Sequence, residues 1–233
     1  TIYWTDIASS GKIGIGTANP TQQLDITQSM QMPNTSNSST LGILYKNGTR
    51  FLHNFNNSAN NTNTFLGLNS GNFNGSNTWY GNTGIGIETL LGTTSWFFNT
   101  AVWDTALRNV TTGYYNNAIG KKALYNNTIG AFNTAIGVSS LYNNSSGFNN
   151  SAVGRETLHG NTIGNGNTAF GMQAGYTVSA GSYNTLLWYK AGFSFSSGTN
   201  NIAIGYETQF SSLTWSNQLN IGNLIYGTGL IGT

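Results

Sequence analysis

The sequence predicts an all-β fold, a β-solenoid of the β-roll or β-helix kind with a 17-residue coil, assembled as a homotrimeric fibre. Three observations carry the solenoid. A glycine preceded by Ile, Val or Phe recurs at Gly86, Gly120, Gly137, Gly154, Gly171, Gly205 and Gly222, and Trp103 and Trp188 fill the same phase. An amide stands four residues before each of these positions, running Asn82, Asn99, Asn116, Asn133, Asn150, Asn167, Asn184, Asn201 and then Gln218. The third observation is composition: 6% charged and 13% aromatic residues, with 31 Gly and 35 Asn in 233 residues. Residues of high helix propensity are scarce, whereas Ile, Val, Thr and aromatics interrupted by Gly and Asn suit short strands and turns. The aromatic content argues against disorder despite the low charge.

In chain order, residues 1–60 are aperiodic and read as a β-rich attachment or neck region. Ile13/Ile15 and Leu24/Ile26 alternate as short half-buried strands on either side of an Asn19-Pro20 turn. A polar run covers 34–40, and a strand over 41–45 turns at Asn47-Gly48, a strong hairpin signal. Gly14 and Gly16 lack the third glycine and the following helix of a phosphate loop. Residues 61–222 form the repetitive shaft, opened by a displaced coil whose Gly67 lies 19 residues before Gly86. Residues 223–233 read as a Gly-rich tail.

Each coil opens with a strand of the form Asn-Thr-Ala-Ile, as in Asn133, Thr134, Ala135 and Ile136. Alternation puts Thr and Ile on one face and Asn and Ala on the other, and the lack of charge on either predicts burial of both. Parallel strands about 4.8 Å apart would bring Asn116, Asn133, Asn150, Asn167, Asn184 and Asn201 into register as a hydrogen-bonded ladder. The repeat glycines, and a second set at Gly113, Gly130, Gly147, Gly164, Gly181 and Gly198, read as two corners of permissive backbone angle, with Trp96 and Trp215 breaking the second rule. A polar outward column follows (Glu88, Lys122, Glu156, Lys190, Glu207), then Leu90, Leu107, Leu124, Leu141 and Leu158. Beside them lies an aromatic column of Tyr125, Tyr142, His159, Tyr176, Phe193 and Phe210. So small a coil encloses little, and an apolar stripe about 40 Å long would be left over along nine coils. Such a stripe marks an association surface, most simply a trimer about the fibre axis.

The run 112–137, TGYYNNAIGKKALYNNTIGAFNTAIG, resembles the Thr-Gly-x-x-Asn-Thr-Ala-x-Gly-x-x-Ala-Leu repeat of phage and bacterial tail-fibre-like proteins. It is also similar, at a different period, to the repeats of trimeric autotransporter adhesin heads. Residues 14–26 look like an element that flanks such repeats, and 217–230 look like the segment preceding an intramolecular chaperone domain. The resemblance implies a trimeric, shaft-forming protein of a cell surface or virion, followed by a chaperone that is released after assembly.

Other chemistries find less support. The net charge of +2 and scattered basic residues give no phosphate-neutralising patch, so nucleic acid is not an expected partner. No run of 18 apolar residues predicts membrane insertion, and without cysteine neither disulfides nor thiolate metal sites arise. No cofactor is expected, and no His/Asp cluster has metal-ligand spacing. Glu88, Glu156 and Glu207 share a column but sit roughly 14–19 Å apart, farther than the roughly 5–10 Å of paired catalytic carboxylates. A polysaccharide depolymerase is therefore disfavoured, and no enzymatic activity is expected. An ice-binding face would need paired Thr-x-Thr ranks, whereas Thr94, Thr111, Thr128, Ser145 and Thr162 make a single column. The expectation is an extracellular fibre or adhesin that binds a glycan or protein receptor by multivalent contacts. Tyr125, Tyr142, Tyr176 and Phe193 are the candidate sugar-stacking rings, with packing between subunits as their competing role. The alternative is a self-assembling filament subunit that polymerises end to end through open strand edges.

Overall fold

The computed structural model describes residues 13–15, 24–26, 44–46, 49–53, 63–71, 81–94 and 98–228. The chain divides into two compact units, Thr1–Pro33 and Asn34–Thr233. In the first, β1 (Ile13–Ile15) pairs with β2 (Leu24–Ile26) in parallel, with Ile13 opposite Leu24 and Ile15 opposite Ile26. Asn19-Pro20, between these strands in sequence, lies outside the described residues.

The second unit is a β-solenoid of about nine turns, with no helix among the described residues. Its sheet has 13 strands among the described residues, stacked in chain order from β3 (Leu44–Lys46) to β15 (Ile225–Thr228). The run from β5 (Thr64–Leu66) and β6 (Thr83–Ile85) through β7 (Thr100–Val102), β8 (Asn117–Ile119), β9 (Thr134–Ile136) and β10 (Ser151–Val153) is parallel. It continues in parallel through β11 (Thr168–Phe170), β12 (Thr185–Leu187), β13 (Ile202–Ile204) and β14 (Gln218–Ile221). Register follows the sequence period, so Ala118 faces Ala135 and Ala152 faces Ala169. The displaced first coil is real: Thr64 pairs with Thr83, 19 residues on.

Both ends of the sheet carry antiparallel strands. At one end β3 (Leu44–Lys46) and β4 (Thr49–His53) form an antiparallel hairpin, and β4 pairs antiparallel with β5. The hairpin extends the solenoid sheet within the unit Asn34–Thr233, and Asn47-Gly48 lies outside the described residues. At the other end β15 (Ile225–Thr228) turns back antiparallel on β14, so part of the 223–233 tail is a sheet strand. The polar run 34–40 and residues 229–233 lie outside the described residues.

Alternation along each strand holds, but only one face is buried. Asn133 and Ala135 are fully enclosed, while Thr134 and Ile136 point outward, and Ile119 remains 41% exposed. The expectation that both faces are buried is corrected for the protomer. A 17-residue coil is too narrow to take both sets inward, and a three-residue strand offers the interior only its Asn and Ala.

After the strand the chain turns through left-handed residues. Lys122 and Leu124 adopt φ 61 and 51, and the same positions do so in neighbouring coils. This breaks simple alternation and swings Leu124 fully into the core beside Leu107 and Leu141. The two glycine columns have different causes. Gly120 sits at φ 135, where a side chain is strained. Gly130 has no positive φ; a Cβ there would collide with the Asn127 carboxamide and lie 2.5 Å from the Gly147 carbonyl oxygen of the next coil. The second column is therefore a close approach between coils, which corrects its reading as a permissive corner. Trp215 takes that phase in the last full coil, where no described coil overlies it, and Trp96 lies outside the described residues.

Candidate functional site

The inward amides form a continuous ladder. In Asn133 the backbone N–H donates to Asn116 Oδ1 at 3.0 Å, and Nδ2 donates both to Asn116 Oδ1 at 3.1 Å and to Gly147 O at 2.8 Å. Asn150 repeats this on Asn133, Asn167 on Asn150 and Asn184 on Asn167. The backbone link runs on through Asn201 to Gln218, whose N–H donates to Asn201 Oδ1 at 2.8 Å. Each such bond contributes about 0.5–1.5 kcal/mol net, the range that mutational series give for an intramolecular hydrogen bond, and breaking one leaves a buried donor stranded. These residues are structural and present nothing to solvent.

Two further ladders run through the stack, one of amides that the sequence did not single out and one of the hydroxyl column already named. Asn144 Nδ2 donates to Asn127 Oδ1 and Asn161 Nδ2 to Asn144 Oδ1, each at 2.7 Å, within the core. Val178 ends that column, and Asn161 Oδ1 is left as a buried acceptor without a partner. The hydroxyl column Thr94, Thr111, Thr128, Ser145 and Thr162 donates coil by coil to the next carbonyl, for example Thr128 Oγ1 to Ser145 O at 2.9 Å. Its hydroxyl hydrogens are committed to the stack rather than to ordered water. The signal available for both ladders was recurrence of Asn or Thr at one phase, which does not say whether a column faces in or out.

The aromatic candidates Tyr125, Tyr142, Tyr176 and Phe193 come together with His159 in one half-buried stack. Centroids are 5.0–5.3 Å apart and planes 3–12° from parallel. Arg108 and Lys122 approach the terminal Tyr125 ring, and Lys190 approaches Phe193. Ring faces within the stack are covered by one another, so solvent meets edges, not the open faces on which a sugar stacks.

A second aromatic ridge, which the sequence did not single out, lies at another corner. Phe98, Tyr115 and Phe132 stack at 5.1 and 5.3 Å, and each is about half exposed. All three adopt positive φ, 59, 54 and 57, at a phase filled elsewhere by Gly81, Asn149, Gly166, Asn200, Asn217 and one further aromatic, Tyr183 at φ 56. Asn and Gly take this conformation readily; a bulky residue pays strain of order 1–3 kcal/mol. The stack stops at Phe132 because Asn149 follows, and a cavity of about 450 Å³ opens there, lined by Tyr114, Ile129, Ala131, Phe132, Phe148 and Asn149.

The remaining polar groups are dispersed. Glu88 is ion-paired with Arg108 at 2.7 Å, Glu156 meets Arg155 at 3.1 Å and accepts from Gln173, and Glu207 lies 3.7 Å from Lys190. The Gln173 bond holds the Glu156 carboxyl below its usual range. Partial burial lowers the His159 imidazole, with Glu156 opposing. His53 lies in β4, with its backbone opposite Phe65. Among the described residues no group of three His, Cys, Asp or Glu is placed to hold a metal, and no helix is long and apolar enough to cross a membrane.

The outward strand face is a continuous feature of the described surface. Its apolar column runs Ile85, Val102, Ile119, Ile136, Val153, Phe170, Leu187, Ile204 and Ile221, half-buried to exposed throughout, and no charge interrupts it or the adjoining Thr column. Comparison with protein-family models, with curated proteins and with solved structures finds no match to this chain.

Proposed function

We propose that the chain is a shaft segment of a trimeric extracellular fibre, a tail fibre or surface adhesin, that attaches by multivalent contacts. The observation that carries this reading is the uncharged apolar face that runs the length of the solenoid. Monomeric proteins rarely expose contiguous apolar patches beyond a few hundred Å². An interior held by amide ladders needs no such face, so its role is association. The test is mass in solution: light scattering should give three times the 24.9 kDa of one chain, and electron microscopy uniform short rods. A single-chain mass at all concentrations would end the reading, and indefinite polymers would favour a filament subunit.

Receptor contact, in this reading, falls to the Phe132 cavity rather than to the Tyr125 stack. A neutral sugar ring fits a terminal aromatic face with an amide beside it, and about 450 Å³ lies within the range of small-ligand sites. Phe132→Asn installs the residue found at 149, so the fold should hold or gain stability while binding on a glycan array, or attachment to cells, falls at least tenfold. Attachment at the original level would remove the site and leave the fibre reading standing.

A further inference from the structure

In the repeat-glycine phase the backbone sits at φ 127–142 wherever glycine is present from Gly67 to Gly205. Trp103 and Trp188 occupy that phase at φ 92 and 109, where side chains are strained. Neither indole is buried: Trp103 is 62% exposed and Trp188 65%. Within the protomer glycine would serve better at both positions. Trp188 lines a shallow cavity of about 460 Å³ with Phe170, Leu187 and Tyr189. Trp103 follows Val102 of the apolar column directly in sequence, and its backbone N–H donates to Ile85 O at 2.7 Å.

The occupant that fits this surface is a second copy of the chain. With no charge in its Thr and Ile columns, the face meets itself there without like-charge repulsion, the nearest charges being Asp104, Lys121 and Arg155 in the column beyond the glycines. The apolar column and the two indoles leave on the order of 1,000 Å² in solvent, against about 800 Å² contributed by each partner of a standard interface. A repetitive face has one weakness. Because the column is nearly the same in every coil, copies could slip by one coil, about 4.8 Å, with little change in contact. Trp103 and Trp188, five coils apart, remove that degeneracy, since only one parallel alignment brings both pairs to a common height.

We infer that Trp103 and Trp188 fix parallel, unstaggered association of copies through the outward sheet face, each indole meeting its counterpart's surroundings at the same height. The inference rests on the fibre reading and adds register and the residues that set it. Buried aromatic anchors of this kind commonly dominate an interface.

The test uses the full chain. Trp103→Gly with Trp188→Gly restores the residue of the neighbouring coils, so far-UV circular dichroism should be unchanged. The mass should fall to one chain at concentrations where wild type is fully assembled, with at least a 100-fold weaker dissociation constant. Trp215→Gly, at an exposed tryptophan of another phase, should leave the mass unchanged. Because the sequence has no cysteine, Ile119→Cys supplies a single thiol. A short bis-maleimide should link it to its own counterpart in an otherwise wild-type assembly, a result that stands even if the glycine variant misfolds. Assembly persisting in the folded double variant, or linkage of Ile119→Cys only to chains carrying Phe170→Cys as an antiparallel arrangement requires, would overturn the inference while keeping the oligomer. A wild-type chain that never associates would instead remove the fibre reading itself.

Discussion

Coils 116–166 and coils 167–200 fill the same interior in different ways. In the first, each coil contributes Ala, Leu and Asn, as in Ala118, Leu124 and Asn127, all fully buried. In the second, the leucine phase becomes Gly175 and Gly192, and the lost volume returns from other phases: Leu186 replaces alanine and Phe195 replaces asparagine. The exchange is spatially direct. A Cβ on Gly192 would meet Leu186 Cδ2 at 2.7 Å and the Phe195 ring at 3.2 Å, and one on Gly175 would meet Leu186 Cδ1 at 2.6 Å. What the coil conserves is interior volume, not the residue at any one phase. The first coil shows the same rule, because Phe65 occupies the space that keeps Gly71 and Gly84 free of side chains.

The amide ladder from Asn116 to Asn201 is common to both regions, so cutting it should do equal damage in either. Asn133→Ala strands the Asn150 backbone N–H, and Asn184→Ala strands that of Asn201. Each should cost about 3 kcal/mol, the effect of an unpaired buried donor plus a small cavity. Chemical denaturation of the two variants would measure this, and clearly unequal losses would show that the regions do not share one scaffold. The volume exchange itself is tested next. Gly192→Leu alone should destabilise by about 2 kcal/mol through overpacking. Adding Leu186→Ala and Phe195→Asn rebuilds the pattern of coils 116–166 and should recover most of the loss, a non-additivity that a mutant cycle reads directly. Simple addition of the three effects would refute volume conservation.

A smaller effect separates the inner ladder of the first region from its end. Asn144→Val breaks bonds to both neighbours, whereas Asn161→Val removes a residue that already carries an unpaired acceptor. The middle substitution should cost about 1 kcal/mol more than the terminal one.

The unequal legibility of these features follows from the physics. Period, strand phase and the Asn47-Gly48 hairpin were readable because parallel stacking forces identical residues into register and because that dipeptide suits a tight turn. Which face of the strand is buried was not readable, since an uncharged Thr/Ile face looks the same whether it meets the core or another chain. The glycine at 130 was assigned to backbone angle, but it answers to the next coil's carbonyl, a contact with no local signature. The Phe98, Tyr115 and Phe132 ridge was missed because left-handed backbone at that phase becomes visible only once Asn149 and Gly166 are seen to share its φ.

The aromatic stack spans both regions, with His159 as the ring between Tyr142 and Tyr176, and it gives the mildest perturbation. Burial lowers the folded-state pKa of His159 below its ordinary 6.5. The unfolded chain therefore takes up the proton first as pH falls. Stability is complete above about pH 6.5, declines as pH drops from there toward the folded value, and is level below it. Glu156 contributes in a separate window: its lowered carboxyl gives stability above its ordinary 4.5 that is lost as pH falls through the folded value. Melting temperatures between about pH 8 and about pH 5 should thus show a small decline that begins near the ordinary histidine value. His159→Phe should abolish it, because Phe keeps the stack and titrates nothing. A decline that persists in His159→Phe would place the titrating group elsewhere and leave the junction of the two regions insensitive to protons.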